Sequence, residues 1–345
     1  MIKNILIIKH GALGDVVRTA YFAKALNDKH ACNSDYARIY WLTTHGAAPL
    51  LRFNPYVDCV VTDYQSLKDV QFDIIYSLDD EEHYLKIVSL LTSSTIIGVY
   101  LDSDGYIKYC DRSRYWFDMG LVSRHGIEKA NKIKKQNNKT HAEIFKQIFD
   151  VDTVDISFYN SSIIESNMAR VISKLSENKI PIGINAYAGA RWASKSLSDT
   201  EYDYLLRELC QYKINDTKVH IYLLGSGKDY DKNLSIASRH SCCSNITVLE
   251  TSHNVLELAA VIRHLKYIIT SDSLCLHLSI SQSVPTVAFF SPTSADEIEN
   301  VDYIRKIRST SNEYCNYKSE SDNTSITSAR ITRSFTDLLK SRNHG

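Results

Sequence analysis

The sequence predicts an α/β fold built as two doubly wound, Rossmann-like domains, and three observations carry that prediction. Short β-branched runs alternate with amphipathic stretches along the chain, the pattern of parallel sheets joined by right-handed crossovers. The alternation occurs twice, on either side of a polar, helix-stopping region within residues 151 to 180. At 345 residues the chain can form two cores of roughly 100–200 residues each.

In the first half, strands are expected over residues 5–8, 39–42, 59–62, 74–76 and 96–99, each a run of apolar, mostly β-branched or aromatic side chains. A helix is expected over 16–26, where apolar residues recur at 16, 17, 20, 22, 23 and 26, and another over 84–91. The break follows, with Asn160-Ser161-Ser162 and then Asn178-Lys179-Ile180-Pro181 as turn and helix-stop signals. Strands are then expected over 182–186, 219–224, 246–249, 267–270 and 285–290, with helices over 202–210 and 255–265. A Ser/Asn/Asp-rich stretch over 319–328 reads as a mobile loop, and a last helical pattern covers 328–339. The expected units are therefore 1–165, 178–325 and a C-terminal helix and tail over 326–345.

Forty basic and forty acidic side chains cancel, which leaves no global footprint for nucleic acid. Eight cysteines carry no CxxC pair, which argues against a structural zinc. Cys59, Cys210 and Cys275 sit in apolar runs, where a reduced thiol behaves as a small hydrophobe, so a reducing cytoplasm is expected. The apolar run over 2–8 is too short for a signal sequence or a membrane span. The expectation is a cytoplasmic protein, or one peripheral to the cytoplasmic face of the inner membrane.

The most informative stretch is 267–296. An apolar run stops at Ser271-Asp272-Ser273, residues that favour turns and helix N-caps. A compact segment with Leu274, Leu276 and His277 follows, and then a second strand-like run closed by Pro292. A helix N-terminus directly after a parallel strand offers unpaired N–H groups and the positive end of the helix dipole, so the segment predicts an anionic ligand such as a phosphate or pyrophosphate.

Ser271-Asp272-Ser273 with His277, Val284-Pro285-Thr286-Val287 and Ser291-Pro292-Thr293-Ser294 closely resembles the ADP-heptose:lipopolysaccharide heptosyltransferases, glycosyltransferase family 9. Near the N-terminus, Ile5-Leu6-Ile7-Ile8 followed by Lys9 and Gly11-Ala12-Leu13-Gly14-Asp15 looks like that family's opening strand and Gly-Asp loop. Midway, Gly183-Ile184-Asn185, Gly189-Ala190-Arg191 and Lys195 resemble its strand and lysine-bearing loop. Order and spacing agree over about residues 1 to 300. The resemblance implies the GT-B architecture, two Rossmann-like domains facing a central cleft, with an N-terminal acceptor domain and a C-terminal nucleotide-sugar domain. It implies an inverting, metal-independent glycosyltransferase with no cofactor, moving heptose from ADP-heptose to a lipopolysaccharide core or related glycan.

Asp15 at the start of a helix reads as a cap or as a group projecting toward a ligand. The resemblance makes it the catalytic base that takes the acceptor hydroxyl's proton, with Gly14 and Arg18 on the acceptor side. Lys195 alone reads as a solvated loop lysine. The resemblance places it on the donor phosphates, where a cation stabilises the leaving group, and Arg191 shares its loop. Asp272, Ser273 and His277 keep the family's donor-site spacing, with a buried core histidine as the alternative for His277. One departure is Leu274, where many relatives have glycine.

Gly225 in Gly225-Ser226-Gly227-Lys228-Asp229 is a candidate wall for the base or ribose, on a lone GxG. The run from 124 to 139 holds Arg124, Lys129, Lys132, Lys134, Lys135 and Lys139 against Glu128. It reads as a solvated helix face or as a contact to an anionic acceptor or membrane. His141 with Glu143 reads as ordinary helix surface, and no metal is expected. Alternatives are another donor such as a UDP-N-acetylhexosamine, a protein heptosyltransferase without the cysteine clusters of its metal-containing version, or a non-catalytic sugar-nucleotide binder.

Overall fold

The computed structural model describes residues 2–31, 36–188, 192–251 and 254–342. The chain divides into two compact units, Met1–Tyr159 and Asn160–Gly345. The first runs β1 (Ile2–Ile8), α1 (Leu13–Ala20), α2 (Ala23–His30), β2 (Tyr36–Leu42), β3 (Cys59–Val61), β4 (Gln71–Ser77), α3 (Glu82–Ser89), β5 (Thr92–Leu101), β6 (Ile107–Tyr109), α4 (Arg114–Phe117), α5 (Ile127–Gln136) and α6 (His141–Phe149). Its described strands form one sheet in the order β3-β2-β1-β4-β5-β6. All neighbours are parallel except β5 and β6, a hairpin that the sequence reading did not include.

Ile5, Leu6, Ile7 and Ile8 of the central strand β1 are completely buried, as expected for a strand covered on both faces. The single helix expected over 16–26 is two helices. Tyr21 and Phe22 interrupt it and are both wholly buried, Phe22 with its ring 4.9 Å from that of Phe149 on α6. Side-chain burial against α6 therefore overrides the continuous helical period. At Gly98 on β5, a Cβ would lie 1.9 Å from the Ser77 carbonyl oxygen at the end of β4. Only glycine allows that approach.

The second unit runs α7 (Ser162–Leu175), β7 (Ile180–Asn185), α8 (Asp199–Cys210), β8 (Lys213–Ile214), β9 (Thr217–Gly225), α9 (Lys228–Ser238), β10 (Ile246–Glu250), α10 (Val255–His264), β11 (Tyr267–Ser271), α11 (Leu274–Ser281), β12 (Thr286–Phe290), β13 (Ile304–Arg308) and α12 (Ser328–Arg342). Its main sheet is β10-β9-β7-β11-β12-β13, all parallel, with β8 antiparallel to β9. Counted within each unit, both sheets have the order 3-2-1-4-5-6 of the doubly wound fold, and its ligand crevice lies where the order reverses, between strands 1 and 4.

Two sequence boundaries move. The division falls at Tyr159/Asn160, so α7, taken partly as the end of the first domain and partly as linker, belongs to the second unit, where it packs on α10. Pro181, read as a stop, is the second residue of β7 and pairs in register with His220. A proline is tolerated near the start of a strand. The C-terminal helix α12 is no appendage, since Ile331, Phe335, Leu338 and Leu339 share one core with Leu205 and Leu209 of α8. The stretch over 319–328, read as mobile, is hydrogen-bonded to the rest of this unit through Asn323 and Asp322.

Candidate active site

In the second unit the crevice lies between the ends of β7 and β11. A 3-10 turn, Ala193–Lys195, follows β7, and from it Lys195 Nζ donates to Asp272 Oδ2 at 2.8 Å and to the Asp272 carbonyl at 3.2 Å. Burial alone would raise the Asp272 carboxyl, but Lys195 and His277 more than offset this and hold it well below the usual carboxylate range. The aspartate is thus ionised and its charge is matched. Two of the three N–H groups of Lys195 face Asp272, and a third can serve a ligand oxygen. His277 is buried on α11 with Nε2 4.0 Å from Asp272 Oδ1, an ion-pair separation beyond hydrogen-bond length.

Ser273 is the N-cap residue of α11, yet its side chain makes no capping bond. Its hydroxyl donates instead to Asn185 Oδ1 at 2.8 Å, while Asn185 Nδ2 donates to the Leu224 carbonyl at 3.1 Å. The side-chain cap expected from the Ser-Asp-Ser turn is therefore spent on bracing β7 against β11. The helix N-terminus, without a side-chain cap, is suited to an anion above it. Leu274 opens this helix, and the residues from Cys275 to Ser281 are buried on every side. The turn carrying Lys195 is braced in turn by the 318–323 segment. Ser194 N donates to the Ser319 carbonyl at 3.1 Å, and Asn323 Nδ2 donates to the Ser196 carbonyl at 2.7 Å. Trp192 lies beside the Lys195 ammonium. Arg191, with Gly189 and Ala190, lies outside the described residues.

In the first unit the crevice lies between the ends of β1 and β4. Asp15 is in the first turn of α1, one oxygen meeting the Ala12 amide at 3.3 Å and the other the Arg18 guanidinium at 2.8 Å. The carboxylate thus helps to cap the helix. Arg18 is buried, with its guanidinium over the Trp116 ring, and Gly14 is buried in the same turn. Arg18 thus pairs with Asp15 from within the same helix.

Sequence reasoning missed a second group beside it. Lys9, at the end of β1, pairs with Asp79, just past β4. The other Asp79 oxygen accepts from the His10 amide at 2.5 Å and lies 3.1 Å from His10 Nδ1, and His10 stacks on Tyr84 at 3.6 Å. Burial would lower the Lys9 ammonium, but Asp79 and then Asp15 more than reverse this and raise it. Asp79 is held below its usual value by Lys9 and His10 despite its burial.

A family model matches most of the chain. Glycosyltransferase family 9 (heptosyltransferase) matches residues 64–327. The chain belongs to this family. Lys195 and Asp272 lie inside the matched span, and Asp15 precedes it. Among solved structures, a family 9 glycosyltransferase from Veillonella parvula aligns at 15% identity over 98% of each chain with a TM-score of 0.75. The E. coli ADP-heptose lipopolysaccharide heptosyltransferase II aligns at 18% over 99% of each chain with a TM-score of 0.67. E. coli heptosyltransferase WaaC with ADP aligns at 12% over 97% of this chain and 99% of that one, TM-score 0.63. These likenesses show the fold, two doubly wound sheets of the GT-B type. No curated protein sequence matches the chain.

Within this family 9 glycosyltransferase, two other candidates have structural explanations. At Gly225 a Cβ would come within 2.8 Å of Asn233 Nδ2 and 3.1 Å of the Asp229 backbone, so the glycine lets α9 pack on the end of β9. His141, read as helix surface, is buried and stacked on Phe145 at 3.8 Å, while Glu143 bonds back to Thr140 as a helix cap. His141 is thus not the surface residue the sequence reading supposed, whereas Glu143 is exposed. Among the described residues no helix is long and apolar enough to cross a membrane.

Proposed function

We propose that this glycosyltransferase moves heptose from ADP-heptose to a lipopolysaccharide core sugar or a related glycan, with inversion and without a metal. The observation that carries this reading is the Lys195–Asp272 pair beside the N-terminus of α11 at the β7/β11 crevice. A pyrophosphate suits that place. The remaining Lys195 N–H and the helix amides would meet its oxygens, and Asp272 fixes the ammonium in position.

In the reaction the Asp15 carboxylate takes the proton of the acceptor hydroxyl while that oxygen attacks the anomeric carbon from the face opposite ADP. The bond from the anomeric carbon to the phosphate oxygen breaks and its electron pair leaves with ADP. Lys195 and the α11 amides stabilise the charge that develops there. Arg18 keeps Asp15 aimed without itself taking the proton.

The test is calorimetric binding of ADP-heptose, ADP, UDP and UDP-N-acetylglucosamine to the wild type and to Lys195→Ala. Tight ADP-heptose binding, weakened at least tenfold in the variant, is expected. Preference for the UDP compounds would overturn the heptose assignment.

We also place this enzyme at the cytoplasmic face of an anionic membrane, through α5. Lys129, Lys132 and Lys135 are exposed there, whereas Arg124 is paired with Asp118 and Lys139 lies over the Tyr115 ring. Replacing the three exposed lysines by glutamine should reduce sedimentation with phosphatidylserine vesicles, at about 1 kcal/mol per charge. Unchanged binding would remove the membrane from this account.

A further inference from the structure

The opposite edge of the second sheet holds a group of side chains that donor binding does not use. Cys210 is the last residue of α8, and His240 and Cys243 lie in the turn between α9 and β10. One ligand atom from each lies within 4.8 Å of the other two. Cys210 and His240 are buried, and Cys243 is partly buried against the core. The neighbouring Cys242 is exposed, with its sulfur 4.0 Å from that of Cys243.

These separations have a chemical meaning. Two thiolates on one tetrahedral zinc, with bonds of about 2.3 Å, stand about 3.8 Å apart. The three clustered side chains therefore need to contract by up to about 1 Å to surround one ion, and the Cys242–Cys243 sulfur separation is already close to the tetrahedral value.

The surroundings fit the same reading. His240 Nε2 lies 3.0 Å from Asp203 Oδ1. A ligating histidine commonly has one ring nitrogen held in this way by a carboxylate, which orients the ring and leaves the other nitrogen for the metal. Asp203 is itself fixed by Arg207 at 2.8 Å. The backbone on both sides is also pinned. The Cys243 amide donates to the His240 carbonyl at 2.8 Å, and Asn245 Nδ2 bridges the Cys210 and Val219 carbonyls at 3.2 and 3.0 Å.

We propose that Cys210, His240 and Cys243, completed by Cys242, form a structural zinc site that ties the end of α8 to the turn after α9. Binding displaces the three thiol protons to solvent and involves no change of oxidation state. Thiolate and imidazole ligands in a closed tetrahedral set select zinc over the harder cations. The site lies at the end of the sheet away from Lys195 and Asp272, so its role is to hold the fold. The absence of a CxxC pair hid it in the sequence, because Cys210 comes from a distant helix and the other ligands are crowded into His240-Ser241-Cys242-Cys243.

The test uses the full chain, purified under reducing conditions without chelator, dialysed with zinc and analysed by elemental mass spectrometry. About one zinc per chain is expected. Replacement by cobalt(II) should give sulfur-to-metal charge-transfer absorption and tetrahedral d–d bands, with weaker charge transfer in Cys242→Ser, an exposed position that does not threaten folding. Asp203→Asn should weaken zinc binding by about 10–100-fold, and a chelator should lower the wild-type Tm. Substoichiometric zinc after reconstitution would overturn the proposal. So would unchanged zinc content in a folded Cys210→Ala/Cys243→Ala variant, or a Cys210–Cys243 disulfide in the zinc-treated protein.

Discussion

The two crevices of this chain are built on one plan and finished differently. Each unit has a largely buried lysine–aspartate pair, with the lysine following its first strand, Lys9 at once and Lys195 in the turn beyond, and the aspartate just past its fourth: Lys9 with Asp79, and Lys195 with Asp272. In the first unit the aspartate is fully occupied, by Lys9 on one oxygen and the His10 amide and ring on the other. Asp15, the proposed base, stands apart on α1. In the second unit the aspartate takes Lys195 and leaves the N-terminus of α11 uncapped by any side chain. The same kind of ion pair therefore lies beneath the proposed base in one half and beside the proposed anion seat in the other.

The sharpest way to break this comparison is at Asp15. Asp15→Asn can still accept from the Ala12 amide but takes no proton, so the transfer rate should fall by about 10²–10⁴-fold with ADP-heptose affinity unchanged in calorimetry. Parallel loss of donor binding would sink the separation of tasks.

Next in size is the stability carried by the first pair. Lys9→Met strands the Asp79 charge, and unfolding by urea should show a loss of about 3–5 kcal/mol. Lys9→Met/Asp79→Leu should recover most of it while binding donor like the wild type. A double variant no more stable than the single one would show that the two side chains are not coupled.

The smallest effect is shared between the units. Burial, with help from Lys29 and Lys3, pushes His30 down to about 4, and burial pushes His220 down to about 4. The unfolded chain takes these protons near 6.5 and the folded chain only near 4. Stability is therefore full above pH 6.5, declines as pH falls toward 4, and is flat in this contribution below that. Urea midpoints at pH 7 and pH 5 should differ, and His30→Asn should flatten the difference. A midpoint independent of pH across this window would refute the burial argument.

The central strands of both sheets could be read from the sequence because burial on both faces leaves uninterrupted apolar runs, as in Ile5 to Ile8 and Ile221 to Leu224. Of the edges, β3 and β10 were read but β6 and β13 were not. β13, Ile304-Arg305-Lys306-Ile307-Arg308, alternates charge with isoleucine and lies at the margin of its sheet, where one side of the ladder meets solvent. In the donor crevice Lys195, Asp272 and Ser273 were legible from motif resemblance, but the diversion of the Ser273 hydroxyl to Asn185 was not, because it joins residues 88 apart. Asp79 escaped notice for a related reason. An acidic pair after a strand signals nothing until the strand order places β4 beside β1 and brings Asp79 to Lys9.

One consequence follows from the place of α12 in the second core. A ribosome delivers the chain from its N-terminus, and domains tend to fold as they emerge. The first unit is complete once Tyr159 has been made, whereas the second cannot bury Leu205 and Leu209 fully until Phe335 and Leu338 arrive. The half that holds the Lys195–Asp272 pair is thus the last to mature, and its sheet spends the later stage of synthesis with an uncovered apolar face, the interval in which a holdase chaperone would find it.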